Sequence, residues 1–182
     1  MKRKRIILLG TLIILGIITY YIYTTVFQFS KDTVLDAASE HYTGLEDILS
    51  NPLFEDKLLY VDIWGTRCPP CIAEFEHSKK LQEHFKGNDE VLFVYLCSPY
   101  NNMDDKVRWK FFINEYELTG HHIFMNENCY TSIYDDIELD PEKRYLIPRY
   151  FIARNGQIIL SAAPPPSSGD VIATIDNARK TL

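Results

Sequence analysis

The sequence predicts an α/β domain, a central mixed β-sheet flanked by helices, preceded by one N-terminal transmembrane helix. Three observations carry that reading. Strand-like and helix-like stretches alternate from residue 58 onward, the pattern of a layered α/β domain. The alternation closes with a hairpin and a final helix. Ahead of it, Ile6 to Phe29 contains no charged residue and is long enough to cross a bilayer as a helix. The 182 residues suffice for one domain with a real core plus an extension. The expected divisions are residues 1–29 as a basic tip and signal-anchor, 30–51 as a stalk and short helix, and 52–182 as the globular domain.

The N-terminal segment is read first. Lys2-Arg3-Lys4-Arg5 precedes the apolar run and by the positive-inside rule stays cytoplasmic, which puts the rest of the chain outside. A cleavable signal peptide is the competing reading, with a shorter apolar core and an Ala-x-Ala-like site. Thr24-Thr25-Val26 is a poor substitute for that site, so an uncleaved single-pass anchor in the cytoplasmic membrane is preferred. No cysteine closely follows the run, so a lipoprotein lacks its attachment residue. The net charge of −6 makes nucleic acid an unsuitable partner. Ser30 to Asn51 is more polar, with Val34, Leu35, Ala38, Leu45, Ile48 and Leu49 at partly helical spacing, and Asn51-Pro52 ends it.

Leu58 to Trp64 is a β-branched and aromatic run of strand length. Cys71 to Phe85 reads as a helix, with Ile72, Phe75, Leu81 and Phe85 near helical spacing. Cys68-Pro69-Pro70-Cys71 therefore sits at a strand-to-helix junction. Free amides and the positive end of the helix dipole favour a thiolate at the first cysteine there. Cys68 is the expected exposed nucleophile, and Cys71, one turn into the helix, the group that resolves a mixed disulfide. Half of a zinc site is the alternative. It needs two more ligands, and Cys97 and Cys129 are the remaining thiols, far apart and in no second C-x-x-C pair. The redox dithiol is preferred, with no metal and no cofactor assigned.

Glu90 to Cys97 reads as a second buried strand, and Asp104 to Leu118 as a helix carrying Val107, Phe111, Phe112 and Tyr116. His121 to Met125 is a short strand, Cys129 to Tyr134 a short helix, and Asp135 to Glu142 an acidic loop without EF-hand spacing. His121-His122 is no metal pair, because neighbours on a strand face opposite ways. Tyr145 to Ala153 is strand-like but interrupted by Pro148, which calls for an edge or a bend. Asn155-Gly156 marks a tight hairpin turn, Gln157 to Ala162 the returning strand, and Gly169 to Leu182 a closing helix with Val171, Ile172, Ile175 and Ala178 inward. Cys97 and Cys129 either pair, as an oxidising compartment allows, or serve as small buried hydrophobes.

Two motifs carry a family resemblance: Val61-Asp62-Ile63-Trp64-Gly65-Thr66-Arg67-Cys68-Pro69-Pro70-Cys71-Ile72-Ala73-Glu74, and Ile147-Pro148-Arg149-Tyr150-Phe151-Ile152 followed by Asn155-Gly156. In this order they resemble the thioredoxin-like superfamily, most closely its membrane-anchored TlpA/ResA-type thiol-disulfide oxidoreductases, from about Leu45 onward. The resemblance implies a thioredoxin fold and a redox-active Cys68–Cys71 disulfide. It also implies a cis Ile147–Pro148 bond against the dithiol, where it shapes a groove for a substrate backbone and keeps metals from the sulfurs. Trp64, Arg67, Pro69, Pro70, Ile147 and Pro148 would line or support that groove. Asp62 then becomes the buried acid that takes the Cys71 proton as Cys71 attacks, with burial raising its pKa. A solvated strand edge is the other reading of Asp62.

Two departures stand out. Arg67 replaces the usual aromatic residue before the first cysteine, and Glu76 a helix-kinking proline. Arg67 is placed to stabilise the thiolate and raise the potential, while Pro69-Pro70 lacks the histidine of an oxidising dithiol. The expected activity is reduction of protein disulfides outside the cytoplasmic membrane, cytochrome c maturation being among the implied roles, with a membrane thiol transporter as electron donor. A disulfide oxidase or isomerase and a redox-inactive thioredoxin-fold binding module are the alternatives.

Overall fold

The computed structural model describes residues 2–26, 28–37, 41–137 and 142–180. Its centre is a six-stranded sheet built on Leu58–Gly65 (β2), in which every residue is buried. Such a continuous apolar run is what a strand covered on both faces requires. Val91–Ser98 (β3) pairs with β2 in parallel, Gly120–Phe124 (β4) with β3, and Thr33–Asp36 (β1) with β4. On the other side of β2, Arg149–Arg154 (β5) and Gln157–Leu160 (β6) run antiparallel. The order is β1-β4-β3-β2-β5-β6, the mixed sheet expected.

The helices divide between the two faces. Pro69–His84 (α3), Asp105–Glu115 (α4) and Val171–Lys180 (α6) cover one face through Phe75, Leu81, Trp109, Ile113, Val171 and Ile175. Leu45–Leu49 (α2), the 3₁₀ turn Pro52–Phe54 and Glu127–Ile137 (α5) cover the other through Leu45, Ile48, Phe54, Ile133 and Tyr134. The first helix, Lys2–Val26 (α1), holds an apolar window from Lys4 to Tyr21 with mean hydropathy 1.6, long and apolar enough to cross a membrane.

Local chemistry explains several boundaries. Helix α3 begins at Pro69 rather than Cys71, because the first turn leaves its N–H groups unpaired and so loses nothing to proline. The hairpin turn holds Asn155 at φ 48° and Gly156 at φ 78°, the left-handed pair a two-residue hairpin needs. Gly120 sits at φ 107°, and a Cβ there would lie 2.3 Å from the Phe93 carbonyl oxygen.

Three expectations are corrected. The stalk contains β1, a strand hydrogen-bonded into the sheet beside β4, so Val34 and Leu35 belong to a strand and not to a helix; Ala38 lies outside the described residues. Helix α4 buries Trp109 and Ile113, packs Phe112 and Tyr116 partly buried against the same core, and exposes Val107 and Phe111. Asp135 and Asp136 belong to the last turn of α5 rather than to a loop, and Asp135 pairs with Arg144; residues 138–141 of the acidic stretch lie outside the described residues. Likewise the closing helix is described only to Lys180.

Candidate redox site

The C-terminal end of β2 delivers the chain through Thr66 and Arg67 to Cys68, the N-cap of α3. The Cys68 N–H bonds back to the Gly65 carbonyl at 3.1 Å, closing a turn. Gly65 allows that turn because a Cβ would meet the Tyr100 hydroxyl at 2.5 Å and the Ser98 hydroxyl at 2.7 Å. The paired prolines occupy the first two helical positions. The next free donor is the Cys71 N–H, and it points at Cys68 Sγ, 3.2 Å away. A helix N-terminus therefore presents its first available donor to the outer sulfur, which favours negative charge there.

Cys68 and Cys71 are joined in a disulfide. Cys71 is wholly buried and Cys68 is 7% exposed. The outer sulfur is thus nearly covered rather than open, because the Ile147 carbonyl oxygen lies 3.8 Å from it. That carbonyl belongs to a cis Ile147–Pro148 bond, which brings the start of β5 against the sulfurs. Pro69 and Pro70 are exposed, as are Tyr145 and Leu146 beside Ile147.

Strand alternation places Tyr60, Asp62 and Trp64 on the α3 face of β2, and Leu59, Val61 and Ile63 on the opposite one. Asp62 lies opposite Tyr95 of β3 and Tyr150 of β5. It is 1% exposed, and among the described residues neither carboxylate oxygen has a hydrogen-bond partner. The solvated-edge reading fails, since β2 is the most enclosed strand. Burial first, and the negative charge of Glu74 second, hold the Asp62 carboxyl well above its ordinary range. The walls are aromatic: Tyr60 stacks on Tyr150 with centroids 5.8 Å apart. Burial, and then Asp62 itself, push the Tyr60, Tyr95 and Tyr150 hydroxyls up.

Two of the residues expected at the groove have partners of their own. Trp64 is fully buried, edge-on to Phe75 at 4.9 Å, so it packs beneath the dithiol and meets no surface. Arg67 does not turn its charge to Cys68 alone. Its Nη2 lies 2.6 Å from Asp104 Oδ1 and its Nε 3.5 Å from Asp105 Oδ1. Asp105 is buried and also accepts the Tyr100 and Asn102 N–H groups.

Sequence reasoning quoted Glu74 without giving it a role. Its carboxylate accepts the Ser167 N–H at 2.9 Å and hydroxyl at 2.8 Å, tying α3 to the loop after β6. The two histidines lie on opposite faces, as strand alternation implies, and the remaining cysteines do not pair. His121 packs edge-on against Phe54 on one face of the sheet, and His122 stacks on Tyr95 on the other. Cys97 and Cys129 are free and buried, one in each face's core, with the sheet between them.

This arrangement can be set beside known proteins. No protein-family model matches the chain. It is 35% identical over 106 residues to the thiol-disulfide oxidoreductase ResA of Halalkalibacterium halodurans, covering 54% of this chain and 59% of that one. It is 31% identical over 94 residues to ResA of Bacillus subtilis, covering 48% and 52%. The solution structure of a candidate thiol-disulfide oxidoreductase from Bacteroides vulgatus superposes with a TM-score of 0.53 at 25% identity, over 69% of this chain and 75% of that one. The chain has a thioredoxin-like fold and is similar to thiol-disulfide oxidoreductases of the ResA type. It spans between half and two thirds of the length of the curated relatives it matches. The Cys68–Cys71 pair has the C-x-x-C spacing of a thiol-disulfide oxidoreductase.

Proposed function

We propose that this protein is a membrane-tethered reductase of protein disulfides, anchored by α1 with its α/β domain outside the cytoplasmic membrane. In the reduced enzyme the Cys68 thiolate attacks one sulfur of a substrate disulfide, and the other substrate sulfur leaves as a thiolate. Cys71 then attacks Cys68 Sγ, releasing the second substrate thiolate and leaving the Cys68–Cys71 disulfide. Asp62 takes the Cys71 proton during that attack. The substrate gains two electrons and the enzyme loses two, so a thiol donor such as a membrane thiol transporter must restore the dithiol. Extended substrate would lie along Ile147 and Pro148, and cytochrome c maturation is one role such a reductase fills.

One observation supports this reading above the others: Asp62, buried and unpartnered on the dithiol face of the central strand. A lone buried carboxyl costs stability, and a role in taking the Cys71 proton, directly or through water, would account for that cost. The same feature weighs against a redox-inactive binding module. Direction is supported by Arg67, whose pairing with Asp104 and Asp105 draws its charge away from Cys68. A less stabilised thiolate means a more reducing couple. Equilibration of the full chain with dithiol buffers tests the direction. A midpoint near or below roughly −250 mV is expected, and one near roughly −120 to −180 mV would replace the reductase by an oxidase or isomerase.

A further inference from the structure

The segment that carries the Ile147 carbonyl to the outer sulfur is held from the other layer of the fold. Tyr145 sits at φ 65°, a left-handed conformation that a bulky residue seldom adopts and keeps only where its surroundings impose it. Its ring shows what imposes it here. The ring centroid lies 5.7 Å from that of Tyr130 and 5.1 Å from that of Tyr134, and the Arg144 guanidinium stands 5.5 Å from it. Tyr130 and Tyr134 both belong to α5 and meet edge-on at 5.3 Å. Helix α5 thus grips the segment through an aromatic cluster.

A hydrogen bond completes the grip. Tyr134 is wholly buried, and its hydroxyl donates to the Leu146 carbonyl at 3.1 Å. Burial, and then the neighbouring Tyr130, hold that hydroxyl above the ordinary tyrosine range, so it stays a donor at any working pH. The next carbonyl along the chain is that of Ile147, 3.8 Å from Cys68 Sγ. Beyond it, Arg149 Nη2 donates to the Ile137 carbonyl at the end of α5, at 3.3 Å. Ile147 itself packs against both cores. Helix α5 covers the sheet face opposite the dithiol, yet it holds the backbone that covers Cys68.

We propose that Tyr134 is a positioning residue for the redox reaction: its hydroxyl fixes the Ile147 carbonyl beside Cys68, so it governs how tightly an extended disulfide peptide seats there and not how reactive the dithiol is. This rests on the reading of Cys68–Cys71 as the reacting pair and of Ile147 and Pro148 as the edge along which substrate lies. A backbone already held in place spares a docking peptide the cost of ordering it. The same carbonyl shields the outer sulfur. A small dithiol needs no backbone partner, and it gains nothing from that order.

Full-length chain in detergent micelles, given an extended disulfide peptide and dithiothreitol in separate assays, tests it. Tyr134→Phe keeps the ring and removes the hydroxyl. Its KM for the peptide should rise about three- to ten-fold, the scale of one hydrogen bond, with kcat within about two-fold of wild type. Single-turnover reduction of its Cys68–Cys71 disulfide by dithiothreitol should run at the wild-type rate or faster. Tyr145→Asn suits a left-handed backbone and removes the gripped ring. It should show the same split, and it decides the matter if Tyr134→Phe does not fold. Thr33→Val is the matched control, losing a hydroxyl that donates to the Leu118 carbonyl at 3.0 Å, beside the first residue of β4. It should leave KM and both rates alone. An unchanged KM in Tyr134→Phe overturns the inference, as do peptide and dithiothreitol reactions slowed together, or an equal rise of KM in Thr33→Val. Wild type that oxidises the peptide's dithiol without reducing its disulfide defeats the reductase direction, and the same split is then read in that direction. Wild type that reacts with neither form of the peptide defeats both readings.

Discussion

The two faces of β2 differ more than any two elements of the fold. On one face Leu59, Val61 and Ile63 meet the hydrophobic core under α2 and α5. On the other, Tyr60, Asp62 and Trp64 meet aromatic rings, a buried carboxyl and the disulfide. Both faces are closed to water, so burial alone does not mark the site. The difference is satisfaction. The first face of the strand holds groups that gain from being dry, while the other keeps an acid that loses by it. One strand thus serves as scaffold on one side and, in the proposed mechanism, as proton acceptor on the other.

Breaking the comparison outright is the first prediction. Cys68→Ser should drop reduction of a disulfide peptide to the rate without enzyme, with the thermal unfolding of the reduced protein nearly unchanged. Adjacent residues then give opposite outcomes. Asp62→Asn should slow turnover by about 10²-fold, the scale of a lost general base, and raise stability at neutral pH. Ile63→Ala should cost about 2–5 kcal/mol in denaturant unfolding and leave turnover per folded molecule unaltered. If Asp62→Asn also destabilises, the carboxyl is structural and the contrast between faces collapses.

The pH dependence sharpens the same contrast. Asp62 in the fold titrates well above an ordinary carboxyl, which in the unfolded chain has a pKa of about 3.9. Between those values the native state holds a proton that the unfolded state has lost, so stability from this group falls as pH rises. His122 is opposite in sign: burial pushes it down to about 3. Between that value and about 6.5 the unfolded state binds a proton the native state refuses, so stability falls as pH drops. The two slopes partly cancel in acid. Asp62→Asn should therefore lose stability more steeply than wild type on acidification from pH about 6.5 to 4, read as melting temperatures across buffers.

The smallest effect is expected at the leftover thiols. Burial and Asp105 raise Cys97 well above a free thiol, and burial with Asp47 pushes Cys129 up to about 11. Both should resist native-state alkylation, and Cys97→Ala with Cys129→Ala should leave the midpoint potential where it was.

What the sequence disclosed follows from the range of each signal. The Cys-Pro-Pro-Cys junction, the hairpin turn and the cis-proline loop are encoded within a few adjacent residues, and the structure has all three. Asp62 was legible as a charge inside an apolar run. Strand β1 was not, since four residues are too few to display a period and its edge position buries it only in part. The pairing of Arg67 with Asp104, and of Glu74 with Ser167, joins residues 37 and 93 positions apart. No local pattern announces such contacts, so Arg67 read as a free cation beside a thiol. Of the apolar residues the sequence places on α4, Phe112 and Tyr116 pack against the core while Val107 and Phe111 face out, since aromatic residues stand all around that helix.

The central claim is that one face of β2 carries a working dithiol while the remaining cysteines are inert. Redox titration of the full chain, read by thiol trapping at each potential, tests it most directly. One two-electron couple is expected, with Cys68 and Cys71 changing together and Cys97 and Cys129 reduced and unmodified throughout. Titration without that couple, or with Cys97 or Cys129 entering it, would contradict the account.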